Sequence, residues 1–233
     1  MISVAISRLG RAALARCLPF ALYIAFLVLA GWLGTYPAGA YPHFDQRWLY
    51  AVQISAVIGV LVFFRHDYSE MSTRSAVRAA DWGLSLLLGL GVFVLWINLD
   101  SGWAVLGEAR QGFVPLNAEG DLDWPLIAMR IFGAAAVVPV MEELFWRSFL
   151  QRWVEHKDFL SQAPSAVSLN ALLLVSVVFG FEHRQWLAGI VAGLAYGYLY
   201  RRSGSLWPPI VAHSLTNFLL GVWVVRTGQW QFW

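Results

Sequence analysis

The sequence predicts an all-α, polytopic membrane helical bundle, and three observations predict it. Of 233 residues, 59% are hydrophobic and only 13% are charged, about half the charge of an ordinary soluble domain, and the mean hydropathy is +0.60. Apolar stretches recur along the chain at lengths that fit a hydrocarbon layer about 30 Å thick. Backbone polar groups in lipid must be paired within their own segment, which makes such stretches helices, and no alternating pattern repeats often enough for a β-barrel. A core of this size cannot absorb so many apolar residues without a lipid-facing surface. Without an internal repeat or a low-complexity linker, residues 1–233 read as one integral membrane domain.

Seven apolar runs stand out, at 18–34, 48–64, 82–99, 126–154, 166–180, 186–200 and 206–225. The first follows Arg8, Arg11 and Arg16. Ala38-Gly39-Ala40 offers an A-x-A cleavage site behind it, but the multi-span remainder favours an uncleaved first helix. The fourth run is long and carries charges in its second half, where Pro139 removes a backbone bond and is expected to kink it. Only His183-Arg184-Gln185 and their neighbours separate the short fifth and sixth runs. These two are expected to form a helical hairpin that stops short of the far surface. Pro208 and Pro209 mark the start of the last helix.

The basic residues set an orientation. With the N-terminus in the cytoplasm, eleven Arg and Lys fall on the cytoplasmic side. Four fall outside (Arg47, Arg110, Arg184 and Arg226), and Arg130 lies within the fourth run. The acidic 100–123 loop is then external, and the chain is placed in the inner (plasma) membrane. Cys17 is the only cysteine, which excludes an intramolecular disulfide and a Cys-rich zinc site. No basic run is long enough to suggest nucleic acid as a partner. His43, His66 and His156 fall in polar connections and read as surface residues.

A charge at mid-bilayer costs at least about 2.5–3.5 kcal/mol, so ionisable groups inside apolar runs need a reason. In Met141-Glu142-Glu143-Leu144-Phe145-Trp146-Arg147, Glu143 and Arg147 are i,i+4 and can pair on one helix face. Glu142 lies about 100° away round the helix with no such local partner. In Phe179-Gly180-Phe181-Glu182-His183, Phe179 and His183 share a face, and Glu182 is expected to face the loop. His213 and Asn217, also i,i+4, point the same way from the last helix and imply a polar cavity or an interhelical hydrogen bond.

Glu142, His183, His213 and Asn217 together make a hydrolytic set. A carboxylate and an imidazole can take a proton from water, and a second imidazole with an amide can stabilise an oxyanion. Glu142, His183 and His213 would also serve as zinc ligands, although the local H-E-x-x-H spacing is missing. Ser148 and Ser214 lie outside any G-x-S-x-G context, which argues against a serine nucleophile.

The three motifs in this order resemble the CAAX prenyl endopeptidase and bacteriocin-processing (CPBP) membrane protease family. They read Glu142-Glu143-x-x-x-Arg147, Phe179-x-x-x-His183 and His213-x-x-x-Asn217, with Gly189, Gly193 and Gly197 between the histidines. The resemblance covers residues 131–221, the protease-like core. Further strings, among them Val94-Leu95-Trp96-Ile97-Asn98-Leu99-Asp100 and the closing Gly228-Gln229-Trp230-Gln231-Phe232-Trp233, resemble the CAAX protease-related proteins of bacterial exosortase systems. The resemblance implies that Glu142 and His183 activate water, that His213 and Asn217 form the oxyanion site, and that Glu143 and Arg147 support it. A metal-free mechanism is favoured over a zinc one, because the ligand set lacks a thiolate or a third histidine. The expected substrate is a membrane-associated protein or peptide, met at the bilayer. The competing expectation is a non-catalytic assembly or immunity partner of a surface-protein sorting system.

Overall fold

The computed structural model describes residues 2–33, 46–71, 77–107 and 112–233, with the side chains of 2–9 and 46 outside that description. The Ala38–Ala40 site, His43, Arg74, Glu108 and Arg110 lie outside the described residues. Among the described residues, each of the seven apolar runs coincides with a helix, and the first helix begins well upstream of its run. The helices are α1 (Ile2–Leu33), α2 (Leu49–Phe63), α3 (Ala79–Asn98), α4 (Trp124–Trp153), α5 (Leu169–Phe181), α6 (Trp186–Ser203) and α7 (Trp207–Thr227). The one β feature among them is an isolated bridge between Leu116 and Leu122. By length and composition α1, α3, α4 and α7 can cross a membrane, while α2 and α5 are shorter apolar helices. Large apolar side chains such as Val28, Phe63, Leu87 and Leu174 point outward and are more than half exposed. In a chain of this composition that surface faces lipid.

Prolines inside two helices leave carbonyls without their intrahelical donors. Pro19 lies within α1, and the carbonyl four residues back, of Ala15, accepts the Tyr68 hydroxyl at 3.0 Å. In α4 a π-helical stretch over Gly133–Val137 precedes Pro139, where the sequence predicts a kink, and a second π stretch covers Leu144–Leu150. The two carboxylates therefore sit on a short α-helical island, Val138–Glu143, between two widened turns. Such π-bulges concentrate at functional sites.

Helices α5 and α6 form the expected hairpin, although its turn reaches the end of α3 and does not stop short of it, and its glycines show why the two helices pair. A Cβ on Gly189 would meet the Gly180 Cα at 2.9 Å, and one on Gly193 would meet the Ser176 Cα at 2.9 Å. Helices lacking those side chains approach backbone to backbone. The turn of the hairpin is docked on the segment after α3. Arg184 pairs with Asp100, its carbonyl accepts from Leu106 N–H at 2.7 Å, and Trp186 Nε1 donates to the Trp103 carbonyl at 2.9 Å. The hairpin thus turns level with the end of α3. On the other face of α3, Gly89 lets α7 approach so closely that a Cβ there would lie 2.6 Å from the Ala212 carbonyl oxygen.

At the opposite, basic end of the bundle a buried ion cluster joins three chain segments. Arg16 of α1 donates to Glu70 Oε2 at 2.6 Å and to Ser148 Oγ at 2.7 Å, while Arg152 of α4 donates to Glu70 Oε1. Ser148, weighed above as a nucleophile, is committed to this cluster: its hydroxyl also donates to Glu70. Burial alone would raise the Glu70 carboxyl, but Arg16 and Arg152 outweigh it and hold it down at about 2. His66 and His156 are exposed as expected.

Breaking one partner of a buried pair costs about 3–5 kcal/mol, so Glu70→Gln should lower unfolding stability in lipid nanodiscs by about that amount. Because the folded carboxyl titrates below its unfolded value of about 4.3, the Glu70 contribution is complete above that pH. It is lost as pH falls towards about 2. Denaturant titrations over this window should give a shallower pH dependence for Glu70→Gln than for the wild type.

Candidate active site

Glu142, His183, His213 and Asn217, predicted from three separate motifs, all line one cavity of about 210 Å³ inside the bundle. They come from α4, the α5–α6 turn and α7, so the convergence is tertiary. Phe179 stands between the two histidines, its ring centroid 4.9 Å from His183 and 6.4 Å from His213.

Three of the four polar groups, His183, His213 and Asn217, are held by a hydrogen-bond partner. His183 Nδ1 lies 2.9 Å from the Phe179 carbonyl oxygen. A carbonyl only accepts, so Nδ1 carries the proton and Nε2 of the neutral ring keeps its lone pair. The Trp96 ring meets the imidazole edge-on at 5.3 Å and fixes its plane. On α7, His213 Nδ1 donates to Glu143 Oε1 at 3.0 Å. The other nitrogen, Nε2, faces Glu142 Oε2 at 3.9 Å, a separation that one water can bridge. Tyr196 stacks on the His213 ring at 4.9 Å, and its hydroxyl is anchored through Thr216 to the Gly89 carbonyl, each bond 2.8 Å.

The two adjacent glutamates have separated roles. Glu143 is wholly buried between His213 and Arg147, whose Nε lies 3.1 Å from Glu143 Oε2. That contact is off hydrogen-bond alignment, so the attraction is chiefly Coulombic. The Arg147 guanidinium lies over Phe179 at 4.6 Å. The ion pair expected from i,i+4 spacing is present, and its extension to His213 is new. Glu142, 6% exposed, has its Oε2 without a hydrogen-bond partner among the described residues.

Asn217 is also anchored. Its Nδ2 donates to the Ala134 carbonyl at 2.8 Å. Val138 N–H donates to Gly133 O, and in that π register the donor for Ala134 would be residue 139, a proline. The carbonyl released by Pro139 is therefore what positions Asn217, leaving its Oδ1 and second N–H uncommitted by this bond.

The cavity also contains residues that sequence reasoning passed over, notably Tyr23, Trp96, Tyr196 and Arg130. Aromatic residues are so frequent in this chain that none of them is distinctive in the sequence, and Arg130 has no local motif. Among the described residues no three His, Cys, Asp or Glu side chains converge closely enough to hold a metal ion. The Glu142, His183 and His213 donor set therefore does not fit a zinc site in this arrangement.

Glu143→Gln should leave Arg147 as an uncompensated buried charge and cost about 3–5 kcal/mol of stability. The double substitution Glu143→Leu/Arg147→Met should recover part of that loss. Denaturant unfolding of the three proteins measures both effects, and equal stability of all three would contradict the ion pair.

Residues 124–219 match the family model described as type II CAAX prenyl endopeptidase Rce1-like. The matched segment starts with α4 and ends two residues beyond Asn217, so it contains Glu142, Glu143, Arg147, His183, His213 and Asn217. Among curated proteins, the chain is 25% identical over 185 residues to the Bacillus subtilis (strain 168) protein named "Putative membrane peptidase YdiL". The similarity covers 75% of this chain and 70% of that protein. No solved structure matches the chain significantly.

Proposed function

We propose that this chain, similar to Rce1-like CAAX prenyl endopeptidases across its site-bearing segment, is an intramembrane endopeptidase. It hydrolyses a peptide bond of a membrane-associated protein. The observation that carries the reading is the meeting of Glu142, His183, His213 and Asn217 in one cavity, with Glu142 facing the cavity and His183 Nε2 open as an acceptor.

In this reading a water held between Glu142 and His183 Nε2 loses a proton to Glu142, and its oxygen adds to the substrate carbonyl carbon. The carbonyl becomes a tetrahedral oxyanion, which accepts hydrogen bonds from the Asn217 amide and from His213 Nε2–H when that ring carries both protons. Collapse breaks the C–N bond, and the proton on Glu142 passes to the departing nitrogen. Glu143 and Arg147 act by positioning His213. No step runs through a metal. The eleven-to-four distribution of basic residues supports an N-terminus in the cytoplasm and an inner-membrane location. The narrower assignment to exosortase systems rests on the sequence strings alone.

Glu142→Gln should reduce cleavage by about 10²–10⁴-fold while insertion and protein level stay at wild-type values. Mass spectrometry of membrane-protein termini, in cells carrying wild type or variant at matched levels, measures this. New termini that depend on Glu142 would identify the substrate. Identical termini from two stably inserted proteins, with the pathway active, would instead favour a non-catalytic assembly partner.

A further inference from the structure

Among the described residues, Arg130 is the one cationic side chain lining the cavity, and the mechanism above leaves it unused. It lies in α4, twelve residues before Glu142. Its guanidinium is caged by three rings, with Tyr50 and Phe113 at 5.2 Å and Trp233 at 5.5 Å. Among the described residues it has neither a hydrogen-bond acceptor nor a carboxylate within ion-pair distance. The nearby Asp123 lies 3.9 Å from Arg47 instead. Arg130 also lines a second cavity of about 270 Å³, walled by Tyr23, Leu27 and Gln53 of α1 and α2, as well as the one containing the candidate catalytic groups. A cation within a membrane helix, stripped of counter-charge and facing a junction of cavities, is where an anionic ligand gains most.

We propose that Arg130 is a specificity determinant that binds a carboxylate of the substrate peptide. This rests on the peptidase reading, because only then does a molecule bound near Glu142 extend past Arg130. The planar guanidinium fork takes a carboxylate through two parallel hydrogen bonds, and the aromatic cage holds the fork in place. Twelve residues of α4 separate Arg130 from Glu142, at most about 18 Å at α-helical rise and less across the π stretch Gly133–Val137. An extended peptide covers that span in about five residues. The recognised carboxylate therefore sits within about five residues of the scissile bond, either as an Asp or Glu side chain or as the terminal carboxylate of the substrate.

Peptide binding to the full chain in nanodiscs tests this. The Glu142→Gln protein is used so that no peptide is consumed. Two apolar peptide pairs serve as probes, one differing only in a terminal carboxylate against an amide, the other, both amidated, in an internal Glu against Gln. In at least one pair the carboxylate form should bind about ten-fold or more tightly, and the responding pair identifies the source. Adding Arg130→Gln should remove the difference, and Arg130→Glu should reverse it towards a Lys peptide. Equal affinities within both pairs, or a difference that survives Arg130→Gln, would overturn the proposal. So would an Arg130-dependent response to phosphatidylglycerol in the nanodisc without carboxylate preference, since the site would then take a lipid phosphate. The peptide comparison needs no substitution at position 130, so it decides even if Arg130→Gln fails to fold. Carboxylate-selective binding by a chain that cleaves nothing with Glu142 intact would leave this site standing and refute the peptidase. Cleavage without carboxylate selectivity would do the reverse.

Discussion

The arrangement of the site depends on one buried carboxylate. Glu143 has no contact with solvent, and it meets Arg147 on its own helix and His213 on α7. A charge in that position is tolerated only when paired, so both partners are obligatory. Once Glu143 is committed in this way, the geometry of a helix turns its neighbour Glu142 by about 100° into the cavity, opposite His213 Nε2. Adjacent identical residues thus acquire different chemistry from where the helix points them.

A second constraint comes from broken backbone. Two prolines interrupt helices whose polar groups have no water to turn to, and in each case a distant side chain meets the released carbonyl. Tyr68 does this for Ala15 of α1, and Asn217 does it for Ala134 of α4. The second case ties a distortion to the site: the π stretch before Pro139 releases the acceptor that positions Asn217. Between the widened turns, the Val138–Glu143 segment carries Glu143 within 3.0 Å of His213 Nδ1 on α7.

The bundle holds two polar centres with opposite characters. The Glu70, Arg16, Arg152 and Ser148 cluster is closed, each member bonded to another and the whole capped by Phe159. It joins α1, the segment after α2 and the end of α4 in the manner of a structural staple. The centre around Glu142 is open to a cavity and keeps polar atoms uncommitted. Open polar groups in an apolar interior are costly to maintain, and that cost is the physical argument for reading this centre as functional and the other as architectural.

By itself, the sequence determined where the helices run, because lipid demands apolar segments of set length and prolines and glycines punctuate them. It also determined the Glu143–Arg147 pair, since four residues along a helix is one face, and the residue types of the site, since ionisable groups within such runs need a reason to be there. Only the tertiary structure decided which partners meet across the bundle. Glu70 reaches Arg16 and Arg152 over 54 and 82 positions, and Glu143 reaches His213 over 70. A helix distortion near Pro139 was legible, whereas its π form and the capture of the Ala134 carbonyl by Asn217 were not. The aromatic cage of Arg130 was equally hidden, because Tyr50, Phe113 and Trp233 lie far apart in the chain. Periodicity encodes the face a residue occupies on its own helix. What that face meets depends on how close the helices approach, and glycines such as Gly89, Gly189 and Gly193 set that distance only once the helices are packed.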